Sequence, residues 1–204
     1  MDTFFTIASP AEGIFRERGS KFIAFAYPVC SEASVKEKLS FLRKKYFDAN
    51  HHCYAWRLGV DGGQHRANDD GEPANTAGKP ILGQLIAYKL TNVLLVVVRY
   101  FGGTLLGTGG LTQAYKRAAA TVLDNTQIVQ EVVAETYKLT FDYADLNKAL
   151  KFVKDMNLEC VQQDINLDCA MTVKVRKSKV EEMKKRLNTI KVINYSTLNL
   201  YLKL

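Results

Sequence analysis

Apolar and polar residues alternate over positions 12–18 and 21–29, on either side of Gly19-Ser20, which predicts a β-hairpin closed by a two-residue turn. The period then changes. Over 31–46, Val35, Leu39 and Leu42 recur at helical spacing with lysines and glutamates opposite them, the signature of an amphipathic helix. Residues 52–60 return to a strand pattern and end in the turn Asp61-Gly62-Gly63. An acidic turn, NDDGEP at 68–73, leads into a helix expected over 76–90. Thr76 is its candidate N-cap, Pro80 sits in its first turn, and Ile81, Leu82, Leu85 and Ile86 point inward. Residues 92–100 are almost wholly apolar and predict a central strand buried on both faces. After Gly102, Gly103, Gly107, Gly109 and Gly110, a stripe of Leu111, Tyr115, Ala118, Val122 and Leu123 marks a further helix. Gln113, Lys116 and Arg117 lie on its outer side, and Asp124-Asn125 ends it.

Beyond residue 131 the pattern reads as strand 132–141, helix 142–157 with Leu146, Leu150 and Val153 inward, and strands 158–165 and 168–176 around a turn at Asn166. A helix over 178–188 follows, with Ser178 and Glu181 placed as a capping box, and then a strand over 192–202. The order βαββαβ is the ferredoxin-like pattern. The expectation is two domains, a mixed α/β domain over 1–130 and a ferredoxin-like domain over 131–204, in the α+β/α/β class.

With 47% hydrophobic and 24% charged residues among 204, both parts can bury a core. The net charge of +7 is shared between them and suits an anionic partner such as RNA. No charged region precedes an apolar stretch and a small-residue cleavage site near residue 1, and the longest apolar run, 93–98, is too short for a bilayer. These features predict a cytoplasmic protein without a membrane partner. Cys30, Cys53, Cys160 and Cys169 lack metal-ligand spacing and are expected to be reduced.

Gly102 and Gly107 have the spacing of a phosphate-binding loop, but Thr108 stands where its lysine is required and no GxGxxG is present, so no nucleotide cofactor is expected. The cations Arg57, Lys79, Arg99, Lys116 and Arg117 gather in sequence around the two glycine-punctuated loops, each of which feeds a helix N-terminus; together they form a candidate anion- or RNA-binding rim. Arg99 closes an apolar strand and must either pair with Asp69, Asp70 or Glu72 or face a ligand. Tyr100 or Phe101 beside it offers a stacking face. The alternative is a small hydrolase using the acidic loop (Asp69, Asp70, Gly71, Glu72) with His52 or Cys53, or a divalent-metal site built from His52 and those carboxylates. A purely protein-binding regulator is the third reading.

The stretches GSKFIA (19–24), HHCYAWRLG (51–59), NDDGEPANTAGKPILGQL (68–85) and NVLLVVVRYFGGTLLGTGGLTQAY (92–115) closely resemble the YigZ/IMPACT family, in the bacterial form without the RWD domain of eukaryotic members. They cover most of residues 13–117. The resemblance implies two domains similar to domains IV and V of elongation factor G, and hence a role tied to the ribosome or RNA. Eukaryotic relatives regulate translation by competing for an activator of a stress kinase. Some bacterial relatives are labelled peptidases, but this sequence carries no peptidase motif and the family supplies no catalytic residues to transfer. Asn68 and Asn75 stand where many members have serine and a small residue.

Overall fold

The computed structural model describes residues 3–166 and 168–198, so the part of the expected final strand beyond 198 lies outside the described residues. The chain divides into two compact units, one spanning Phe4–Glu131 and one built from Val132 onward together with Thr3. The elements up to the division are β1 (Thr3–Ile7), β2 (Ala11–Glu17), β3 (Ser20–Pro28), α1 (Glu32–Lys45), β4 (His51–Leu58), β5 (Gln64–Asn68), α2 (Gly78–Ala87), β6 (Val93–Tyr100), α3 (Gly107–Asp124) and β7 (Ile128–Val132). Five of the strands form an antiparallel sheet in the order β2-β3-β6-β4-β5, while β1 pairs with β7.

The uninterrupted apolar run of β6 follows from its central place. Val93, Leu95 and Val97 pack into one core with Ile81 and Leu85 of α2 and with Leu111, Tyr115, Ala118 and Val122 of α3. Leu94, Val96 and Val98 face the other way, into a core with Val35, Leu39 and Leu42 of α1 and with Tyr54 and Trp56. Helices cover both faces, so a central strand has no polar side to show. Ser31 caps α1 through a reciprocal hydrogen-bond pair with Ser34.

Three local features differ from the sequence pattern. The hairpin turn is Arg18-Gly19, not Gly19-Ser20: Glu17 pairs with Ser20, and Arg18 and Gly19 have φ of 45° and 78°, the left-handed backbone that a primed two-residue turn requires. Thr76 does not cap α2; its hydroxyl donates to the Pro73 carbonyl, and α2 starts at Gly78. Ile86 is exposed, on the outer side of α2. The edge strand β5 reads Gln-His-Arg-Ala-Asn and has no apolar face for a sequence pattern to reveal.

The second unit comprises β8 (Ala134–Asp142), α4 (Leu146–Asp155), β9 (Glu159–Asp164), β10 (Asp168–Arg176), α5 (Val180–Ile190) and β11 (Asn194–Leu198), with an antiparallel sheet ordered β11-β8-β10-β9. Alternate residues of β10 (Cys169, Met171, Val173 and Val175) join Tyr137, Leu139, Phe152, Met183 and Leu187 in one core. On α4 the inward positions are Ala149 and Phe152, with Met156 just past its end, and Leu150 is exposed. Leu146 and Val153 pack against the same core as expected, and a short 3₁₀ turn (Tyr143–Asp145) precedes α4. Ser178 forms no capping box, because it lies inside a second 3₁₀ turn, Lys177–Lys179; Glu181 pairs with Lys184 instead.

Candidate functional site

The acidic turn is folded inward by its own hydrogen bonds. The Asp69 carboxylate accepts the backbone N–H groups of Asn75 (2.9 Å), Ala77 (2.9 Å) and Gly78 (2.8 Å), so it supplies the cap that Ala77 lacks. Asn68 Oδ1 accepts the Asp70 N–H at 2.9 Å, a use for the amide where relatives are expected to have a hydroxyl. Asp70 accepts the His52 backbone N–H at 2.7 Å and pairs with Arg43 at 3.1 Å. His51 Nδ1 lies 2.9 Å from the Asp70 carbonyl, which can only accept, so that nitrogen carries the proton. These contacts press the turn against the start of β4.

Glu72 is buried. Its Oε1 accepts from Arg99 Nη1 at 2.6 Å and from the Tyr115 hydroxyl at 2.7 Å, with His51 Nε2 3.8 Å away. Arg99 is only 4% exposed, with its guanidinium 5.5 and 5.6 Å from the ring centroids of Phe22 and Phe101. Its Nη2 donates to Ser20 Oγ at 3.3 Å, and the same oxygen accepts the Gly102 N–H at 3.2 Å. One buried ion pair therefore ties the acidic turn, the hairpin and the start of the glycine loop to the end of β6. Of the two alternatives for Arg99, the structure has the pairing with an acid of the turn, Glu72, so its charge is consumed inside the fold and its place among the phosphate-facing cations of the rim is corrected. Both loops do leave the same end of the sheet, because His51 stands opposite Arg99 in register and Asn50 Oδ1 accepts the Phe101 N–H at 2.8 Å. Arg57 does not join them. It stands opposite Val93 at the far end of β4, where Nη1 donates to the Leu90 carbonyl at 2.8 Å.

The hydrolase arrangement is not assembled. Cys53 is fully buried, its thiol donating to the Asp69 carbonyl at 3.0 Å and lying 3.4 Å from the Tyr115 hydroxyl. Burial pushes the Cys53 thiol far above its ordinary value, and the neighbouring carboxylates push the same way, so no thiolate nucleophile is available. Tyr115 is raised for the same leading reason, burial, reinforced by Cys53 and Glu72. His52 sits on the opposite side of the sheet; burial lowers its pKa against the pull of Asp70. Among the described residues no cluster of His, Cys, Asp and Glu fits a metal ion. The reason is visible: Asp69 is spent on backbone amides and Glu72 on Arg99. A thiol reagent is expected to modify exposed Cys30 in the native protein and Cys53 only on unfolding, as peptide mapping would show. Prompt native labelling of Cys53 would mean that this core opens.

The glycines separate into different roles. A Cβ on Gly102 would lie 1.9 Å from the Gly19 carbonyl carbon, so backbone meets backbone there. Gly103 and Gly107 have positive φ and open space around them, while Gly109 and Gly110 belong to the first turn of α3. Lys79, Lys116 and Arg117 are exposed and form no ion pair among the described residues. Tyr115, Ser20 and His51 are members of the network that the sequence pattern hides, since Tyr115 sits in an apolar stripe and Ser20 in a hairpin.

A five-stranded antiparallel sheet clad by helices on both faces, closed by a buried Glu72–Arg99 pair, defines the class of the first unit. The Impact N-terminal domain family matches residues 18–123. The chain is 31% identical to "IMPACT family member YigZ" of Escherichia coli (strain K12), over 92% of this chain and 93% of that one. It is 33% identical to "IMPACT family member YvyE" of Bacillus subtilis (strain 168), over 72% and 68%. A "Protein IMPACT homolog" of Saccharomyces cerevisiae is 40% identical over 45% of this chain and 36% of the yeast protein. A crystal structure described as that of a hypothetical protein superposes with a TM-score of 0.70 at 29% identity, covering 98% of this chain and 99% of the other. The chain belongs to the IMPACT family.

Proposed function

We propose that this protein is a non-enzymatic, cytoplasmic regulator associated with translation, which binds RNA or a ribosomal surface through the first unit. In this reading the first unit corresponds to domain IV of elongation factor G. The second is ferredoxin-like and corresponds to domain V, in keeping with its βαββαβ order. One observation carries the proposal: the carboxylates of Asp69 and Glu72 are turned inward onto backbone amides and Arg99, and Asp70 is neutralised by Arg43, while Lys79, Lys116 and Arg117 remain exposed without ion pairs among the described residues. These three cations face solvent, and cations facing solvent are what phosphate recognition uses. Family membership supports the link to translation that the resemblance implies.

A protein-binding reading has its own support. Phe101 and Leu105 on the glycine loop are exposed by 45% and 82%, and apolar side chains on a rigid loop suit a protein partner. Sedimentation with purified ribosomes separates the two. The RNA reading predicts co-sedimentation at about 50 mM salt and release by about 300 mM, because displaced counterions make phosphate contacts salt-sensitive. Recovery in the supernatant at every salt concentration would contradict it.

A further inference from the structure

Arg18 occupies the first central position of the β2–β3 turn with φ of 45°, a backbone that asparagine or glycine adopts with less strain. Close backbone packing of Gly19 on Gly102 and the Ser20–Gly102 hydrogen bond fix the turn in place. This anchoring holds Arg18 beside the start of α3. There Arg18 and Arg117 line a cavity of about 290 Å³ together with Glu17, Leu106, Gly110 and Gln113. Neither arginine has an ion-pair partner among the described residues, although Glu17 lines the same cavity. Two guanidinium groups and one carboxylate leave a single net positive charge. That balance suits a monoanion, and planar guanidinium forks suit the paired oxygens of a phosphate. A singly charged phosphodiester fits it better than a dianionic phosphate monoester.

We propose that the cavity between the β2–β3 turn and α3 seats one backbone phosphate of RNA, with Arg18 and Arg117 as its two clamping side chains. This rests on the RNA-binding reading and names a place for it, including a residue, Arg18, that the cationic rim did not contain. Leu106 forms the apolar side of the seat, and Gln113 supplies an amide donor beside the guanidinium groups.

Arg18→Asn tests the seat without endangering the turn, since asparagine accepts left-handed backbone. The full chain is titrated with a single-stranded RNA of about 12 nucleotides, within the usual span of such sites, across a salt series. In parallel, the arginine Nε–H resonances are followed by NMR with RNA and, separately, with inorganic phosphate. The expected result is a five- to tenfold loss of RNA affinity at low salt for Arg18→Asn. The slope of log K against log salt should fall by about 0.7–0.9, the share of one phosphate. In the unmodified protein the Arg18 and Arg117 resonances should shift saturably with RNA. RNA binding by Arg18→Asn with unchanged affinity and slope would overturn the seat while leaving the RNA reading standing. Absence of RNA binding by the unmodified protein, with saturable shifts under inorganic phosphate, would overturn RNA as the source and the RNA reading with it. Silence of both resonances toward both ligands would overturn the seat itself.

Discussion

Replacing Glu72 with alanine is expected to destabilise the first unit by about 3–5 kcal/mol, the range for removing one partner of a buried ion pair. The variant leaves Arg99 charged, 4% exposed and held between Phe22 and Phe101, with only the Ser20 hydroxyl to receive its hydrogen bonds. It also removes the acceptor of the Tyr115 hydroxyl. The combined change Glu72→Leu with Arg99→Met removes both charges and should cost less than Glu72→Ala, because no unpaired ion is left behind. Trp56, the single tryptophan, is buried in the first unit and reports its unfolding in urea by fluorescence. A loss below about 1 kcal/mol for Glu72→Ala would put the pair in the class of surface salt bridges and contradict its structural role.

Gly102→Ala should be as damaging, for a steric reason. The added methyl would stand 1.9 Å from the Gly19 carbonyl carbon and 2.2 Å from the Ser20 nitrogen, and both are backbone atoms that cannot swing aside. Separating the hairpin from the glycine loop would break the hydrogen bonds that converge on Ser20 Oγ, so a loss beyond about 4 kcal/mol is expected. Gly109→Ala lies seven residues on in the same cluster and should do the opposite. A Cβ there meets nothing within 4 Å and the residue is helical, so alanine should stabilise by about 0.5–1 kcal/mol. Equal urea midpoints for the two variants would show that the backbone packing is looser than described.

These variants mark where the sequence is readable. The stripe from Leu111 to Leu123 and the apolar run of β6 are legible because burial on one or both faces writes a period into the chain. β5 is not legible, since an exposed edge strand has no apolar side to repeat. The pairing of Arg99 with an acid of the turn follows from the cost of burying a lone charge, but the choice of Glu72, and its sharing with Tyr115, depends on three segments meeting at one point. For the same reason Arg99 is misplaced among the solvent-facing cations and Arg57 among those of this end. Sequence proximity to a loop does not tell which end of a strand a side chain occupies. The glycine cluster looks uniform in the chain, yet only Gly102 is required by close backbone packing. Arg18 escapes notice altogether, because its importance lies in the cavity it shares with a residue 99 positions away.

In the proposed function, exposed cations of the first unit contact RNA phosphates. Binding of single-stranded RNA across a salt series decides whether they do, with the unmodified protein and Lys116→Ala/Arg117→Ala compared side by side. Both side chains lie on the solvent face of α3, so the fold should be retained. Neutralising three or four phosphates predicts a log–log slope of roughly −2 to −4 for the unmodified protein, at about 0.7–0.9 per phosphate. The double variant should be flatter by about one to two, roughly one for each phosphate that is no longer neutralised. Equal slopes for the two proteins, or no measurable RNA binding at low salt, would mean that these cations do not meet RNA phosphates.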